Sequence, residues 1–216
     1  MTPSFDKNSL RYTLSEIRQK ADMFRAEHWP SDVIPVDIEM ILERAGFDLE
    51  PVPGMKQGCD TVACISPDLK TISIDQETML DERQAFFLRS SLAHELGHAI
   101  LHRKFFEWQK EKRMQTIPQW ISFVRECHEN LFPYWFEDDA WEFAGCLLVP
   151  RSHLERSLRK VLTRVPEGYL KELPSDIVRQ YIASAVHREF EVNAQAVEIR
   201  LRKEDLFPQP LNSADR

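Results

Sequence analysis

Apolar residues recur every three or four positions along most of the chain, which is the spacing of helices that bury one face. This period predicts a mainly helical protein. Pro35 precedes the second predicted helix, Gly46 stands where its C-terminal cap is expected, and Pro150 ends the fourth. Asn193 is the predicted N-cap of the last helix. The predicted helices span residues 9–28, 36–45, 81–102, 137–149, 152–164, 176–188 and 194–204.

Three short segments follow a different pattern, which is typical of strands. Residues 47–52 alternate apolar and polar side chains, and residues 61–65 and 71–75 are rich in β-branched side chains. The turn-like sequence Ser-Pro-Asp-Leu-Lys separates the last two segments, and this predicts a β-hairpin. The predicted fold class is therefore α+β, with a small sheet near the N-terminal third that is packed by helices.

The organisation predicted along the chain has four parts. An N-terminal helical segment at 1–35 is followed by a core at 36–150, a helical region at 151–207 and a flexible tail at 208–216. Within the core, residues 103–136 are rich in aromatic side chains and are predicted to hold at least one further helix. This segment is expected to form a packing layer for the neighbouring helices, or alternatively a wall over a cleft.

Composition narrows the class of protein. The 216 residues include 35 acidic and 28 basic side chains, for a net charge of −7, which argues against nucleic-acid binding as the main function. No apolar run is long enough for a membrane span, and the first residues do not resemble a secretory signal. The four cysteines form no CxxC pair, which favours free thiols. These features predict a cytoplasmic protein.

The segment His94-Glu95-Leu96-Gly97-His98 carries the strongest chemical signal. Two histidines four residues apart on a helix lie on one face, one turn apart, and can bind one metal ion. Glu95 points about 100° around the helix, where its carboxylate can reach a metal-bound water without being a ligand. Gly97 costs a helix roughly 1 kcal/mol relative to alanine, so its presence predicts the close approach of another segment or of substrate. HExxH on a helix is the pattern of zinc peptidases.

A catalytic zinc ion needs a third protein ligand and one open position. His102 lies about 12 Å along the helix from His94, too far to share one ion with it, so it is predicted to support the site from behind or to face the helix surface. A glutamate from a second helix is the better candidate. The downstream candidates are His102, Glu126, His128, Glu129, Glu137, Asp138, Asp139 and Glu142.

Three sequence blocks resemble the ImmA/IrrE family of zinc metallopeptidases. The first is TVACISPDLKTISID, followed by Glu82 and Arg83, and the second is SLAHELGHAILH at 91–102. The third, EDDAWEFAGCLLVP at 137–150, is similar to the family's ExxA(N/D)xFAxxLLMP block. Their order and separation also agree, so the resemblance covers about residues 36–150. The later stretch HREFEVNAQAVEIRL resembles the family's C-terminal helical region.

This resemblance implies a zincin-like core that binds one zinc ion, with Glu137 as the third ligand. The residue pattern agrees, because Glu137 shares a helical face with Ala140 and Ala144, whose small side chains allow close packing against the HELGH helix. Trp141 departs from the family, which usually has Asn or Asp there; in related zinc peptidases an acid at that position supports a zinc-binding histidine. Asp138 and Asp139 stay open as alternative ligands.

The predicted function is that of a zinc-dependent metalloendopeptidase. Glu95 would act as the general base, and a further donor would stabilise the oxyanion. The resemblance implies a protein substrate, a helix-turn-helix repressor encoded nearby in a phage, mobile element or stress locus. The sequence does not predict an oligomeric state. The candidates for oxyanion donor or outer support are His102, Tyr134, His153 and His187.

Other interpretations compete with this one. Residues 176–204 form two predicted helices joined by a short turn, as in a DNA-binding helix-turn-helix, but glutamates nearly cancel their basic charge. A zinc-containing interaction module without peptidase activity is a second alternative, although such a module gains nothing from Glu95. A structural metal on the cysteines is disfavoured by their spacing. Two histidines and a carboxylate could also bind Fe(II), Mn(II) or Co(II).

Overall fold

The computed structural model describes residues 11–110, 134–165 and 173–206. The side chains of residues 59, 109, 110 and 134 are not described. Most of the aromatic segment 103–136, and the whole tail 208–216, therefore lie outside the described residues.

The described chain is mostly helical and contains one small mixed sheet, which confirms the α+β class. The first half holds α1 (Leu14–His28), α2 (Ile38–Arg44), β1 (Asp48–Val52), α3 (Met55–Cys59), β2 (Ala63–Ile65), β3 (Thr71–Asp75) and α4 (Gln76–Leu80). A 3₁₀ turn (Glu82–Gln84) leads into α5 (Ala85–Leu101). The remaining helices are α6 (Arg103–Lys110), α7 (Tyr134–Leu148), α8 (Arg151–Leu162), α9 (Ser175–Phe190) and α10 (Ala194–Lys203).

Local capping explains several helix boundaries. The Asp37 carboxylate accepts a hydrogen bond from the Met40 N–H, so α2 begins after Asp37 rather than directly after Pro35. Gly46 ends α2 in the left-handed region, with φ +78°, which confirms its predicted place at the cap. Asn193 does precede α10, but it bonds through its backbone carbonyl to the Ala196 N–H and not through its side chain.

The sheet has the order β1-β3-β2. Strands β2 and β3 pair antiparallel, which confirms the predicted hairpin, whereas β1 pairs parallel to β3. Ile72 and Ile74 of the central strand are fully buried or nearly so. Because β2 occupies one edge and lies against α5, the sheet brings a strand edge next to the helix that carries the HELGH segment.

Helices α5 and α7 form the most extensive contact between elements in the described part of the chain. Gly97 makes this contact close: a Cβ atom on it would lie 2.9 Å from the Ala140 carbonyl oxygen and 3.1 Å from the Ala140 Cα. Ala140 and Ala144 are buried on the facing side of α7. The close approach predicted from Gly97, and the small-residue face predicted on α7, are both confirmed.

A network of charged side chains lies on the other side of α7, where α1 and α10 pack. Glu142 of α7 is buried, and Arg200 Nη1 lies 3.1 Å and Lys203 Nζ 2.8 Å from its carboxylate oxygens. Arg18 of α1 contacts both Glu142 and Glu204. Arg200 Nη2 lies 2.6 Å from Glu204 Oε1, so α1, α7 and α10 share one network.

No helix in the described ranges is both long and apolar enough to cross a membrane.

Gly97→Ala is expected to destabilise the protein. The new Cβ would press against backbone of α7, which costs roughly 1–3 kcal/mol, and the gain in helix propensity of about 1 kcal/mol offsets only part of it. Gly58→Ala is the matched control, because a Cβ on this helical glycine meets nothing within 4 Å. Urea unfolding measures both variants. Equal stability of the two would contradict the close contact between α5 and α7.

Arg200→Ala is expected to lower the free energy of unfolding by about 2–3 kcal/mol at pH 7. This is less than the 3–5 kcal/mol typical of breaking a buried ion pair, since Arg18 and Lys203 still contact Glu142. Arg83→Ala is the control and should leave the free energy of unfolding nearly unchanged, because solvent screens this exposed ion pair. Urea unfolding measures both variants, and equal losses in the two would contradict a special role of Arg200.

The pH dependence of the same variant gives a second measurement. Burial raises the pKa of Glu142, but the hydrogen bond from Lys203 and the charges of Arg200 and Arg18 outweigh it, so the pKa lies below its ordinary value. A carboxyl group whose pKa is lowered in the folded state stabilises the fold at pH values above its unfolded pKa of about 4.3. This stabilisation is lost as the pH falls through the folded-state pKa. The stability gap between wild type and Arg200→Ala should therefore shrink below about pH 4. A gap that widens in acid would contradict this.

Candidate metal centre

His94 and His98 lie on the buried face of α5, one helical turn apart. Their Nε2 atoms approach to 3.0 Å, and the two rings lie nearly perpendicular, with centroids 4.5 Å apart. The i, i+4 spacing thus places both imidazoles at one point beside the helix, as the sequence predicts.

Glu137, in the first turn of α7, completes the group. Its Oε2 atom lies 3.1 Å from His94 Nε2 and 3.5 Å from His98 Nε2. Burial raises the pKa of Glu137, but the hydrogen bonds and charges of the two histidines outweigh it and hold that pKa well below its usual range. The contact between Gly97 and Ala140 positions Glu137, because Gly97 lies between the two histidines on α5 and Ala140 lies about one turn after Glu137 on α7.

These three side chains could hold one metal ion. Each offers a ligand atom, and all three atoms lie within 4.8 Å of one another. Within the described ranges, no other cluster of three or more histidine, cysteine or acidic side chains meets this condition. Cys146 is a free thiol, and neither Cys146 nor Cys64 belongs to such a cluster. The Cys59 side chain and Cys127 lie outside the described part of the chain.

Glu95 lies on α5 beside the three candidate ligands, close enough for the charges of His94 and Glu137 to affect it. Its Oε2 atom accepts a hydrogen bond of 2.8 Å from the Ile65 N–H of β2. Burial raises the pKa of Glu95 to about 7, and the nearby His94 and the Ile65 N–H offset only part of this effect. The hydrogen bond from a strand N–H is a feature that the sequence gives no signal for, because it depends on how the sheet edge meets α5.

His102 lies behind His98 and outside the group of ligand atoms. It is fully buried, its Nδ1 lies 2.8 Å from His98 Nδ1, and its ring stacks on Phe136 at 3.8 Å. Burial and the neighbouring His98 hold the pKa of His102 well below its ordinary value, which favours the neutral ring. A His98 that binds a metal through Nε2 carries its proton on Nδ1 and can donate it to His102. This is the supporting position that the sequence allows for His102.

The other candidate donors lie elsewhere or are not described. His153 Nε2 is 3.2 Å from Asp32 Oδ1, in a cavity of about 300 Å³ on α8 that contains none of the three candidate ligands. His187 Nδ1 donates to the Val192 carbonyl oxygen at 2.8 Å, at the end of α9. The structure therefore joins neither histidine to the metal centre. The Tyr134 side chain is outside the described part.

The described acidic residues that were alternative ligands lie away from the two histidines. Asp138 is exposed, and Asp139 accepts a hydrogen bond from the Tyr12 backbone. Burial raises the pKa of Asp139 to about 6. Glu142 belongs to the charged network. Among the described acidic candidates on α7, only Glu137 reaches the two histidines. Glu126, His128 and Glu129 lie outside the described residues.

Comparisons of the chain with models of known protein families and with curated proteins found no match. The resemblance to the ImmA/IrrE family therefore stays a prediction.

Metal content gives a direct test of the three ligands. Wild type, purified and reconstituted, is expected to hold about one divalent ion per chain, and both His98→Ala and Glu137→Ala should lose it while staying folded. Asp138→Ala is the control, since it removes an exposed acid from the neighbouring position of the same helix. Elemental analysis and circular dichroism measure the two properties. Full metal content in Glu137→Ala would contradict the assignment of the third ligand.

Proposed function

We propose that this protein is a zinc-dependent metallopeptidase. The observation that carries the proposal is the convergence of His94, His98 and Glu137, whose ligand atoms lie 3.0, 3.1 and 3.5 Å apart. Ligands at 2.0–2.1 Å from a tetrahedral zinc ion are separated by about 3.3 Å, so the three atoms fit such an ion. Three protein ligands also leave a fourth position open, as catalytic zinc sites do.

Bound zinc would supply Lewis acidity, which polarises a carbonyl group and makes a water molecule a better nucleophile at neutral pH. The chain itself supplies the proton transfer. Glu95 follows the first histidine in the sequence, and the hydrogen bond from the Ile65 N–H fixes one of its carboxylate oxygens. The carboxylate also lies close enough to His94 and Glu137 for their charges to affect it. In this proposal Glu95 accepts the proton of the attacking water and later delivers it to the leaving amine.

The edge of β2 supports a peptide as substrate. The Ser66 N–H and the Val62 carbonyl form hydrogen bonds with the backbone at the two ends of β3. In an antiparallel pair, residues that are hydrogen-bonded to the partner strand alternate with residues whose peptide groups point away from it. The peptide groups of Ala63 and Ile65 therefore point away from β3, and the Ile65 N–H meets Glu95 on that side. An extended peptide that pairs with this edge would run past Glu95.

The class of protein substrate rests on the sequence resemblance. The ImmA/IrrE family suggests a repressor of the helix-turn-helix type, encoded near the peptidase in a phage, mobile element or stress locus. A cytoplasmic location agrees with the free, buried thiol of Cys146. The contacts of α10 weigh against direct DNA binding by this chain, because Arg200 and Lys203 are engaged by Glu142 and Glu204.

Glu95→Gln tests the peptidase proposal. This isosteric change should leave zinc content unchanged and lower cleavage by at least about 100-fold, the range expected for loss of a general base. The assay follows new N-termini that zinc-loaded protein releases from a library of proteome-derived peptides. Glu82→Gln, an exposed glutamate before α5, is the control and should retain activity.

Two outcomes would contradict the proposal in different ways. Undiminished cleavage by zinc-loaded Glu95→Gln would remove Glu95 from the mechanism. Fully zinc-loaded wild type that releases no new N-terminus from the library would favour the interaction module.

A further inference from the structure

Trp141 covers the outer side of the first metal-binding histidine. It lies on α7 one turn after Glu137, and its ring centroid is 4.2 Å from that of His94, with the planes tilted by 37°. The side chain is nevertheless 45% exposed, although its neighbours Ala140 and Glu142 are buried. One face of the indole thus meets His94, and a large part of the side chain meets solvent.

The two histidines of the metal centre are held by different contacts. His98 Nδ1 lies against His102 Nδ1, a contact that fixes its ring. His94 Nδ1 is buried and has no hydrogen-bond partner among the described residues. A histidine that binds a metal usually donates its second ring N–H to an acceptor, which orients the ring. The described ring contacts of His94 are those with His98 and with Trp141. The contact with Trp141 therefore orients the His94 ring where a hydrogen-bond acceptor would usually do so.

We propose that Trp141 is a positioning residue that holds the His94 imidazole in its metal-binding orientation by aromatic packing. The inference rests on the metal centre of the proposed function. An imidazole bound to a cation carries partial positive charge, and the face of an indole ring carries partial negative charge. The contact between Trp141 and His94 therefore strengthens when a metal binds, so Trp141 favours the loaded state over the empty one.

A role in general packing predicts a different result. A side chain with 45% exposure contributes little to the core, so its removal should change the stability of the metal-free fold only slightly. Metal affinity is the property that separates positioning from packing. Loss of an outer contact to a metal-binding histidine typically weakens metal affinity by about 10–100-fold.

The experiment measures zinc affinity of the full chain by competition with a chromophoric chelator. Trp141→Leu, which keeps apolar bulk without an aromatic face, should bind zinc about 10-fold more weakly than wild type. Trp141→Phe should stay within about threefold, because it retains an aromatic ring. Tyr181→Leu, a similarly exposed aromatic residue on α9, is the control and should not change affinity.

A spectroscopic measurement keeps the test decisive if Trp141→Leu does not fold. Cobalt(II), which quenches nearby indoles, should quench wild-type tryptophan fluorescence more than that of Trp141→Phe. In addition, Trp141→Asn should bind zinc more tightly than Trp141→Leu, because an amide oxygen can accept the His94 N–H. Equal quenching in wild type and Trp141→Phe would overturn the inference.

The outcomes separate this inference from the proposed function. Wild-type zinc affinity in folded Trp141→Leu would overturn the positioning role and leave the peptidase proposal intact. Weakened zinc binding in Trp141→Leu, together with an inactive wild type, would support the positioning role and contradict the peptidase. No zinc binding by wild type would overturn both.

Discussion

The close contact between α5 and α7 is the constraint on which the candidate site depends. His94 and His98 come from one helix and Glu137 from another, so their ligand atoms meet only if the two helix axes approach closely. Gly97 permits that approach, because even one carbon atom on it would collide with the Ala140 carbonyl. The same glycine weakens α5 as an isolated helix. Gly97 therefore makes α5 less stable as a helix, but it allows the candidate ligands on α5 and α7 to come together.

The charged network secures α7 from its opposite side. Glu142 is buried between basic side chains of α1 and α10, and Gly145 leaves room for the Arg200 stem, which would otherwise lie 2.9 Å from a Cβ. Buried ion pairs add little net stability compared with apolar packing, but they tolerate few alternative arrangements. Helix α7 is thus held by the apolar contact with α5 on one side and by the ion pairs with α1 and α10 on the other. These contacts also fix the position of Glu137, which lies in the first turn of α7. His102 gives His98 a comparable fixed support within α5.

Local signals made much of the fold predictable. The helical period located α1, α2, α5 and the helices after residue 134, the i, i+4 spacing located the two histidines, and Gly46 marked the end of α2. Short helices such as α3 and α4 were not predicted, since five residues are too few to show a period. The parallel pairing of β1 with β3 is a non-local choice that no turn sequence encodes. For the same reason, the hydrogen bond from Ile65 to Glu95 had no sequence signal, because it joins elements far apart in the chain. The family resemblance indicated that position 141 lies beside a ligand histidine, but it did not indicate a ring contact there.

The shortness of β2 limits what can be recognised at the candidate site. Within this three-residue strand, only the peptide groups of Ala63 and Ile65 point away from β3, and Glu95 already accepts a hydrogen bond from one of their N–H groups. Such an edge is a poor template for another sheet, which protects the protein from self-association through β2. It also offers a partner only a brief stretch of backbone pairing. A helix satisfies its own backbone groups and cannot pair there. If the substrate is the helical repressor proposed above, it would have to present a linker or an unwound segment. Under the proposed function, the conformational state of the partner, and not its sequence alone, would decide whether it is cleaved.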